Sequence, residues 1–266
     1  MSEPTLYPES GFLRLRIDLA YDGTNYSGWA KQPDRRTIQE ELENALCKIT
    51  QSPIETIVAG RTDAGVHASG QVIHVDVPDT LDLKELPFKL NRMLDEDIRI
   101  LRVTVMTQGF HARFSPTQRS YTYKILDANQ VVSPLHRLDV APWYRALDVD
   151  VLNAASALLI GKHDFAAFCK FREGATTVRT LVRFNWLRDE EGYLVADIAA
   201  DAFCYSMVRN LVGAVVCVAE GRNSLDWIVA MLANKERVPD SLVFEARGLT
   251  LRHVDYPGSN SWDISM

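Results

Sequence analysis

The residue best placed to do chemistry is Asp63, a carboxylate in the segment 59–71, which contains three glycines. Apolar residues end at Val58, and an alternating run covers 72–77, so two strands are predicted with a loop between them. The glycines permit positive φ and close approach of another molecule, so a charged pair, Arg61 and Asp63, can face a ligand. An ionised carboxylate presented in this way can serve as a nucleophile or a base.

The glycines and the carboxylate of this segment also occur in simpler structures and in other motifs. A surface turn, in which Asp63 bonds its own backbone two residues on, stays open. Gly60 and Gly65 have P-loop spacing, but Val66 stands where that motif needs lysine, so phosphate cradling is excluded. The sequence contains no second glycine-flanked carboxylate loop of the kind an aspartic protease needs.

Length and composition bound the class of protein. The 266 residues fit one large domain or two of ordinary size, and 47% hydrophobic with 24% charged residues is typical of a soluble globular protein. The N-terminus lacks the features of a secretory signal, and the longest charge-free apolar run, 211–219, is too short to span a bilayer. We therefore expect a cytoplasmic protein.

The four cysteines, at positions 47, 169, 204 and 217, form no Cys-x-x-Cys pair. They predict neither a metal site nor a disulfide framework, and we expect reduced core residues. His67 and His74 are expected to be a loop residue and a half-exposed strand residue, not metal ligands.

The net charge and the distribution of arginines bear on whether the protein binds nucleic acid. A net charge of −6 and a pI near 5.6 argue against a nucleic-acid binder. Many arginines nevertheless occur in pairs or beside aromatic residues, which suits phosphates and bases. Composition alone favours solvated surface charges. The candidates for a local basic patch are Arg14, Arg16, Arg35, Arg36, Arg113 and Arg179.

Hydrophobic periodicity predicts the same order of elements twice. The first half reads as strand 12–21, helix 38–50, strands 54–58 and 72–77, helix 87–94 and strand 98–105. The second half reads as strand 118–126, helix 148–159, a hairpin of strands 178–187 and 193–199, helices 205–219 and 224–234, and strand 249–254.

This β-α-β-β-α-β order predicts an α+β fold of two ferredoxin-like units with joined, mostly antiparallel sheets and helices packed on one face. The expected division is a flexible leader 1–11, an N-terminal subdomain 12–106 with its catalytic loop 59–71, and a connecting loop 107–118. A C-terminal subdomain 119–256 and a tail 257–266 complete it.

Arg209 lies within the helix predicted at 205–219, which is apolar almost all round and should be deeply buried. A buried guanidinium needs an anionic partner, and Asp63 is the candidate. Such a pair would lower the pKa of the Asp63 carboxyl and keep it ionised. The alternative, in which Arg209 extends to solvent from the first helical turn, is equally consistent with the sequence.

Five separated motifs together resemble the bacterial tRNA pseudouridine synthase A (TruA) family, from about residue 12 to 256. They are Ala59 to His67; Tyr21-Asp22-Gly23 with Tyr26, Gly28-Trp29 and Gln32; His111 to Ser115 leading to Tyr121; Phe203 with Met207 to Asn210; and Gly248-Leu249 with Val254 to Tyr256.

The resemblance implies an isomerase that converts uridine to pseudouridine at positions 38, 39 and 40 of the tRNA anticodon stem-loop. It implies no cofactor and no metal, and a homodimer whose RNA cleft uses both subunits. Asp63 is then catalytic with Arg209 as its cationic partner, and Tyr121 packs on the uracil. Substrate-binding roles fall to Arg61, Leu249, His67 and Arg113.

Two departures from the family pattern concern RNA contacts rather than chemistry. Ala30 replaces a glutamine often found after Gly28-Trp29, and 116–120 carries fewer basic residues than in many relatives. Two further functions compete with the enzyme: a non-catalytic tRNA-binding or folding protein on the same fold, and an enzyme acting on a free nucleoside.

Overall fold

The computed structural model describes residues 10–170, 174, 176–233 and 243–258. The chain has a mixed α+β fold with mostly antiparallel strands, and it divides into two compact units. Unit 1 contains the described residues up to Thr117 and those from Leu251 onward, and unit 2 contains Gln118–Thr250. The predicted leader and tail lie almost entirely outside the described residues.

The elements follow one another along the chain as β1 (Phe12–Tyr21), α1 (Ile38–Thr50), β2 (Ile57–Val58), β3 (His67–Pro78), α2 (Leu86–Met93), β4 (Ile98–Met106), β5 (Gln118–Leu126), β6 (Ala141–Pro142), α3 (Val149–Ala157), β7 (Gly161–Asp164), β8 (Val178–Arg188), β9 (Leu194–Ala200), α4 (Met207–Ala219), α5 (Leu225–Ala233) and β10 (Leu249–Asp255). The predicted β-α-β-β-α-β order of the first half is confirmed.

In unit 1 the strands lie in the order β4-β1-β3-β10, and β1 is antiparallel to both β3 and β4. Alternate side chains of β1 and β3, among them Leu15, Ile17 and Ile73, are fully buried. Helix α1 also buries the stripe predicted from the sequence, of which Ile38, Leu42 and Leu46 are buried. Thr37 caps this helix and its side chain accepts from the Glu40 N–H.

Two predicted strand boundaries in unit 1 are wrong. Strand β3 begins at His67, five residues earlier than predicted, because Ala68 and Gln71 pair with Tyr21 and Leu19 of β1. Strand β2 has only two residues, because the N–H groups before it bond to α1 instead. The Ile54 N–H contacts the Cys47 sulfur at 3.2 Å, and the Thr56 N–H donates to the Glu43 carboxylate at 2.7 Å.

In unit 2 the strands lie in the order β5-β9-β8-β7, and all of these neighbours are antiparallel. The predicted β8–β9 hairpin is confirmed, with its turn closed by hydrogen bonds between Asp189 and both Gly192 and Tyr193. Strands β6 and β7 are absent from the prediction, since one has two residues and the other, Gly-Lys-His-Asp, is polar. Residues with these compositions carry no alternating apolar signal.

Most of the last strand belongs to a different unit from the one predicted. Residues 249–254 are predicted to belong to the second half, whereas those from Leu251 onward cluster with unit 1, where β10 lies beside β3. Gly70 makes this pairing possible, because a Cβ at that position would lie 2.1 Å from the Arg252 carbonyl oxygen.

Candidate active site

Asp63 lies in a tight loop, 59–66, between β2 and β3. The loop closes on itself where the Val66 N–H donates to the Asp63 carbonyl at 3.2 Å. The Asp63 side chain is half-buried, whereas Arg61 is exposed and its neighbour Thr62 is buried. The loop therefore combines a fixed backbone with charged side chains that reach its surface.

The segment 21–29, after β1, holds this loop from one side. The Trp29 N–H donates to the Thr62 carbonyl at 3.0 Å, and the Gly65 N–H donates to the Tyr26 carbonyl at 3.3 Å. These backbone bonds lie on both sides of Asp63 in the sequence. The carboxylate is therefore positioned by a second segment as well as by its own turn.

The buried phenol of Tyr21 is part of a hydrogen-bond network that holds the Asp63 loop. The Tyr21 and Thr62 hydroxyls are 2.8 Å apart, and the Gln71 amide donates both to the Tyr21 hydroxyl at 3.1 Å and to the Gly60 carbonyl at 2.8 Å. Burial raises the pKa of Tyr21 to about 12, which outweighs the lowering by these two partners. The phenol therefore stays neutral at physiological pH and serves as a hydrogen-bonding brace.

Two glycines of the 21–29 segment allow this close packing. A Cβ at Gly23 would lie 2.0 Å from the Val66 carbonyl oxygen, and a Cβ at Gly28 would lie 2.8 Å from the Thr62 carbonyl oxygen. Gly28 also has φ of +93°, which disfavours any other residue. The glycine-rich segment recognised in the sequence is thus the partner of the Asp63 loop.

Unit 2 contains three of the predicted site residues. Tyr121 lies on β5 opposite Ile198, is buried, and packs edge-on against Phe203 with ring centroids 5.2 Å apart. Leu249 is also buried at the start of β10, and its N–H donates to the Ala246 carbonyl at 2.9 Å. Their predicted roles toward a uracil stay predictions.

Arg209 lies in the first turn of α4, the helix that is buried almost throughout, as predicted. The helix begins at Met207 rather than at 205, because Ser206 has φ of +60°. Arg209 itself is half-buried, and its Nε donates to the Phe244 carbonyl at 2.7 Å while its own carbonyl accepts from the Phe244 N–H at 3.2 Å. Its pairing with Asp63 stays a prediction.

Comparison with known proteins decides the family. A family model described as tRNA pseudouridine synthase matches residues 19–115 and 155–257, which include Asp63 and Arg209. The chain belongs to the tRNA pseudouridine synthase family. The predicted resemblance is therefore confirmed, as is the prediction of an isomerase of this class.

Several relatives of this synthase are similar over nearly their whole length. A protein of Frankia casuarinae named tRNA pseudouridine synthase A is 52% identical, covering 93% of this chain and 90% of the relative. Proteins with the same name from Streptomyces griseus and Cutibacterium acnes are each 49% identical, covering 94% and 92% of this chain and 90% and 89% of the relatives.

The predicted position of His67 in the synthase is wrong, because the residue opens β3 and is buried instead of lying in the loop. Its Nδ1 accepts from the Gly23 N–H at 3.2 Å and lies 3.1 Å from an Asp22 carboxylate oxygen. His67 thus ties the end of the Asp63 loop to the segment 21–29. A contact with substrate stays a prediction.

The prediction of a half-exposed His74 is also wrong. The segment after β4 covers this side of β3, and the Ala112 N–H donates to His74 Nδ1 at 3.0 Å. Burial lowers the pKa of His74 to about 3, and the nearby charge of Arg14 acts in the same direction. His74 is therefore a neutral core residue, and alternation alone could not reveal the segment that buries it.

Among the arginines proposed for RNA contact, Arg14 is contradicted by the structure. It is 2% exposed, and it binds both carboxylate oxygens of Asp76 at 2.8 Å together with the carbonyls of Gln108 and Phe110. A guanidinium with these partners cannot reach a phosphate. Arg14 instead fastens the segment after β4 to β1 and β3.

The other proposed arginines have varied surroundings. Arg35 and Arg113 are exposed, and Arg113 lies over the Phe114 ring with 5.3 Å to its centroid. Arg36 binds Glu41, Asp95 and Asp97, and Arg16 binds Asp18. Arg35 and Arg113 are therefore the proposed contacts whose side chains are exposed.

The described part of the chain shows neither a metal centre nor a membrane-spanning helix. Within it, no group of three His, Cys, Asp or Glu side chains is arranged to hold a metal ion. Among the helices described, none combines the length and apolar character needed to cross a bilayer.

Replacing Arg14 by Met tests its structural role. We expect the free energy of unfolding to fall by about 3 to 5 kcal/mol, because Asp76 and two carbonyls lose a buried cationic partner. Urea denaturation measures this loss. Arg183→Met is the matched control, since its partner Asp197 is half exposed and the expected loss is under about 1 kcal/mol. Equal losses in the two variants would contradict the assignment.

Proposed function

We propose that this synthase converts uridine to pseudouridine at positions 38, 39 and 40 of the tRNA anticodon stem-loop, with Asp63 as its catalytic residue. The carrying observation is the close similarity to proteins named tRNA pseudouridine synthase A. The braced loop around Asp63 supports the proposal, because it presents one carboxylate at a defined place. The proposed reaction needs one ionised carboxylate held in a fixed position, and this loop can supply it.

The reaction is an isomerisation of one nucleotide. The bond between uracil N1 and the ribose C1′ breaks, and a bond between C5 and C1′ forms. The hydrogen on C5 is replaced by this bond, and N1 regains a proton, so atoms and electrons balance without an oxidant. Asp63 can act by attacking the sugar or base, or by removing a sugar proton, and either step needs its carboxylate ionised.

Other residues are proposed to bind and orient the extruded nucleotide. Flipping a paired base costs a few kcal/mol, and stacking on an aromatic ring returns about 1 to 3 kcal/mol. Tyr121 is proposed to supply that ring, Leu249 to line the pocket, and Arg209 to hold Asp63 ionised. Arg61, His67 and Arg113 complete the proposed substrate-binding set.

The finer structural predictions belong to the same proposal. We propose two ferredoxin-like units with joined sheets and helices on one face. We also propose that the synthase acts in the cytoplasm as a homodimer without cofactor. Light scattering tests the dimer, since one chain has a mass of 30.0 kDa. A single mass near that value would contradict it.

Mapping of modified uridines tests the proposed function. Unmodified tRNA transcripts are incubated with the purified protein, and pseudouridine is located by carbodiimide labelling and primer extension. We expect modification at one or more of positions 38 to 40 and loss of product as salt rises, because phosphate contacts weaken.

Two controls separate the alternatives. Free uridine should not turn over, and a transcript lacking the anticodon stem-loop should remain unmodified. Turnover of free uridine would favour the nucleoside enzyme. Tight tRNA binding without any pseudouridine, in native protein and with several tRNAs, would favour the non-catalytic tRNA-binding protein.

A further inference from the structure

Cys169 and Cys204 of unit 2 are 35 positions apart in the sequence, yet their segments lie together, because the Lys170 N–H donates to the Tyr205 carbonyl. Each of the two thiols acts on the pKa of the other. Cys169 is buried and Cys204 is partly exposed, as is Cys47, so the prediction that the cysteines are core residues holds only for Cys169 and Cys217. The pair therefore has one sheltered sulfur and one that solvent can reach.

The backbone around the pair is fastened on both sides. The Lys170 N–H donates to the Tyr205 carbonyl at 3.1 Å, directly beside the two cysteines. The side chain of Asn210 in α4 donates to the Phe168 carbonyl at 2.8 Å. These two bonds hold the segments 168–170 and 204–210 together, so Cys169 and Cys204 stay near each other without any covalent link.

The surroundings favour a negative charge on Cys204. The positive charge of Arg179 acts on both sulfurs, and the Arg179 Nε is buried with no hydrogen-bond partner among the described residues. The Cys169 thiol lowers the pKa of Cys204 most, burial opposes this, and the charge of Arg179 lowers it further, so the pKa of Cys204 is lowered in sum. The hydrogen bond with Cys204, and then burial, raise the pKa of Cys169. Such an electropositive and partly exposed environment is typical of reactive cysteines.

We propose that Cys169 and Cys204 form an oxidation-sensitive thiol pair that hydrogen peroxide converts into a disulfide. The Cys204 thiolate attacks one peroxide oxygen, which gives a sulfenic acid and hydroxide. The Cys169 thiol then attacks the Cys204 sulfur, and the hydroxyl leaves as water. Overall two thiols and one peroxide give one disulfide and two waters.

The cysteine pair lies close in sequence to residues that contact or carry the proposed catalytic residues, so its oxidation can displace them. Cys204 follows Phe203, whose ring packs on Tyr121, and it lies two residues before Ser206, which immediately precedes the helix that carries Arg209. Drawing the two sulfurs to bonding distance moves the segment 203–206. A loss of activity on oxidation rests on the proposed function, whereas formation of the disulfide does not.

The test uses the full-length protein and peroxide at a small molar excess, followed by non-reducing peptide mapping by mass spectrometry. We expect a peptide linking Cys169 to Cys204, formed reversibly and removed by dithiothreitol. Cys204→Ser and Cys169→Ser should each abolish it, and Cys47→Ser should form it as the native protein does. Thermal unfolding of each variant confirms that it is folded.

Three results would overturn the proposal. They are sulfinic acid at Cys204 without a cross-link, modification of Cys47 as fast as that of Cys204, and no oxidation of either cysteine. The oxidised synthase is also assayed on tRNA, with an expected loss of about tenfold or more, because small displacements of substrate-positioning groups have large effects on rate. If the disulfide forms without loss of activity, or forms in a protein that is inactive on tRNA, the proposed modification site is still supported.

Discussion

Asp63→Asn is expected to form no pseudouridine while it binds tRNA within about tenfold of the native affinity, which corresponds to about 1.4 kcal/mol. The amide has nearly the same shape but can neither attack as an anion nor accept a proton at physiological pH. Single-turnover incubation with excess enzyme measures product, and filter binding measures affinity. The effect should be confined to the chemical step.

The fold of this variant should be unaffected, because Asp63 is half-buried and the backbone bond from the Val66 N–H to the Asp63 carbonyl closes the turn. Asp34→Asn is the matched control, since that aspartate is exposed in a turn outside the Asp63 loop. Pseudouridine formed by Asp63→Asn at the native rate would remove the catalytic role. A large loss of affinity would instead assign Asp63 mainly to binding.

Gly23→Ala is expected to reduce kcat by about a hundredfold and to lower the free energy of unfolding by about 1 to 3 kcal/mol. The added Cβ would lie 2.0 Å from the Val66 carbonyl oxygen, so the segment 21–29 and the Asp63 loop must separate. The Asp63 carboxylate then loses its defined position. Steady-state kinetics and thermal unfolding measure the two effects.

Gly60→Ala is the structural control, because a Cβ there meets nothing within 4 Å and the residue does not have positive φ. Its free energy of unfolding should stay within about 0.5 kcal/mol of the native value. Equal destabilisation of both variants would show that the contact between the two segments is unimportant. Full activity in a stable Gly23→Ala protein would separate the contact from catalysis.

Local patterns predict the elements with strong periodicity. Helix α1 is predictable because its apolar stripe and its Thr37 cap both lie within one segment, and the bounds are as predicted. The Asp63 loop is recognisable because glycines and one carboxylate lie close together in sequence. Its supporting segment, 21–29, is visible as glycine-rich and aromatic, but its bonds to Thr62 and Gly65 could not be read from spacing.

The residues whose surroundings differ from the prediction depend on contacts with segments far along the chain. Arg14 is predicted as a surface charge, yet its partners Asp76, Gln108 and Phe110 lie more than 60 residues away. His74 is buried by the same segment through Ala112. The hydrogen bond from Lys170 to Tyr205, beside Cys169 and Cys204, likewise joins distant segments. Alternation and composition describe one strand at a time and contain no information on what covers it.

The hydrogen bonds from Trp29 and Gly65 also determine when the ordering of the reactive loop is completed. Since Thr62 and Tyr26 accept them within one unit of the free chain, the loss of loop entropy belongs to folding and not to the encounter with RNA. The free energy of tRNA binding is then not needed to order the loop and can contribute to unstacking the target nucleotide. Substitutions in the segment 21–29 would consequently impair turnover through the loop that this segment holds.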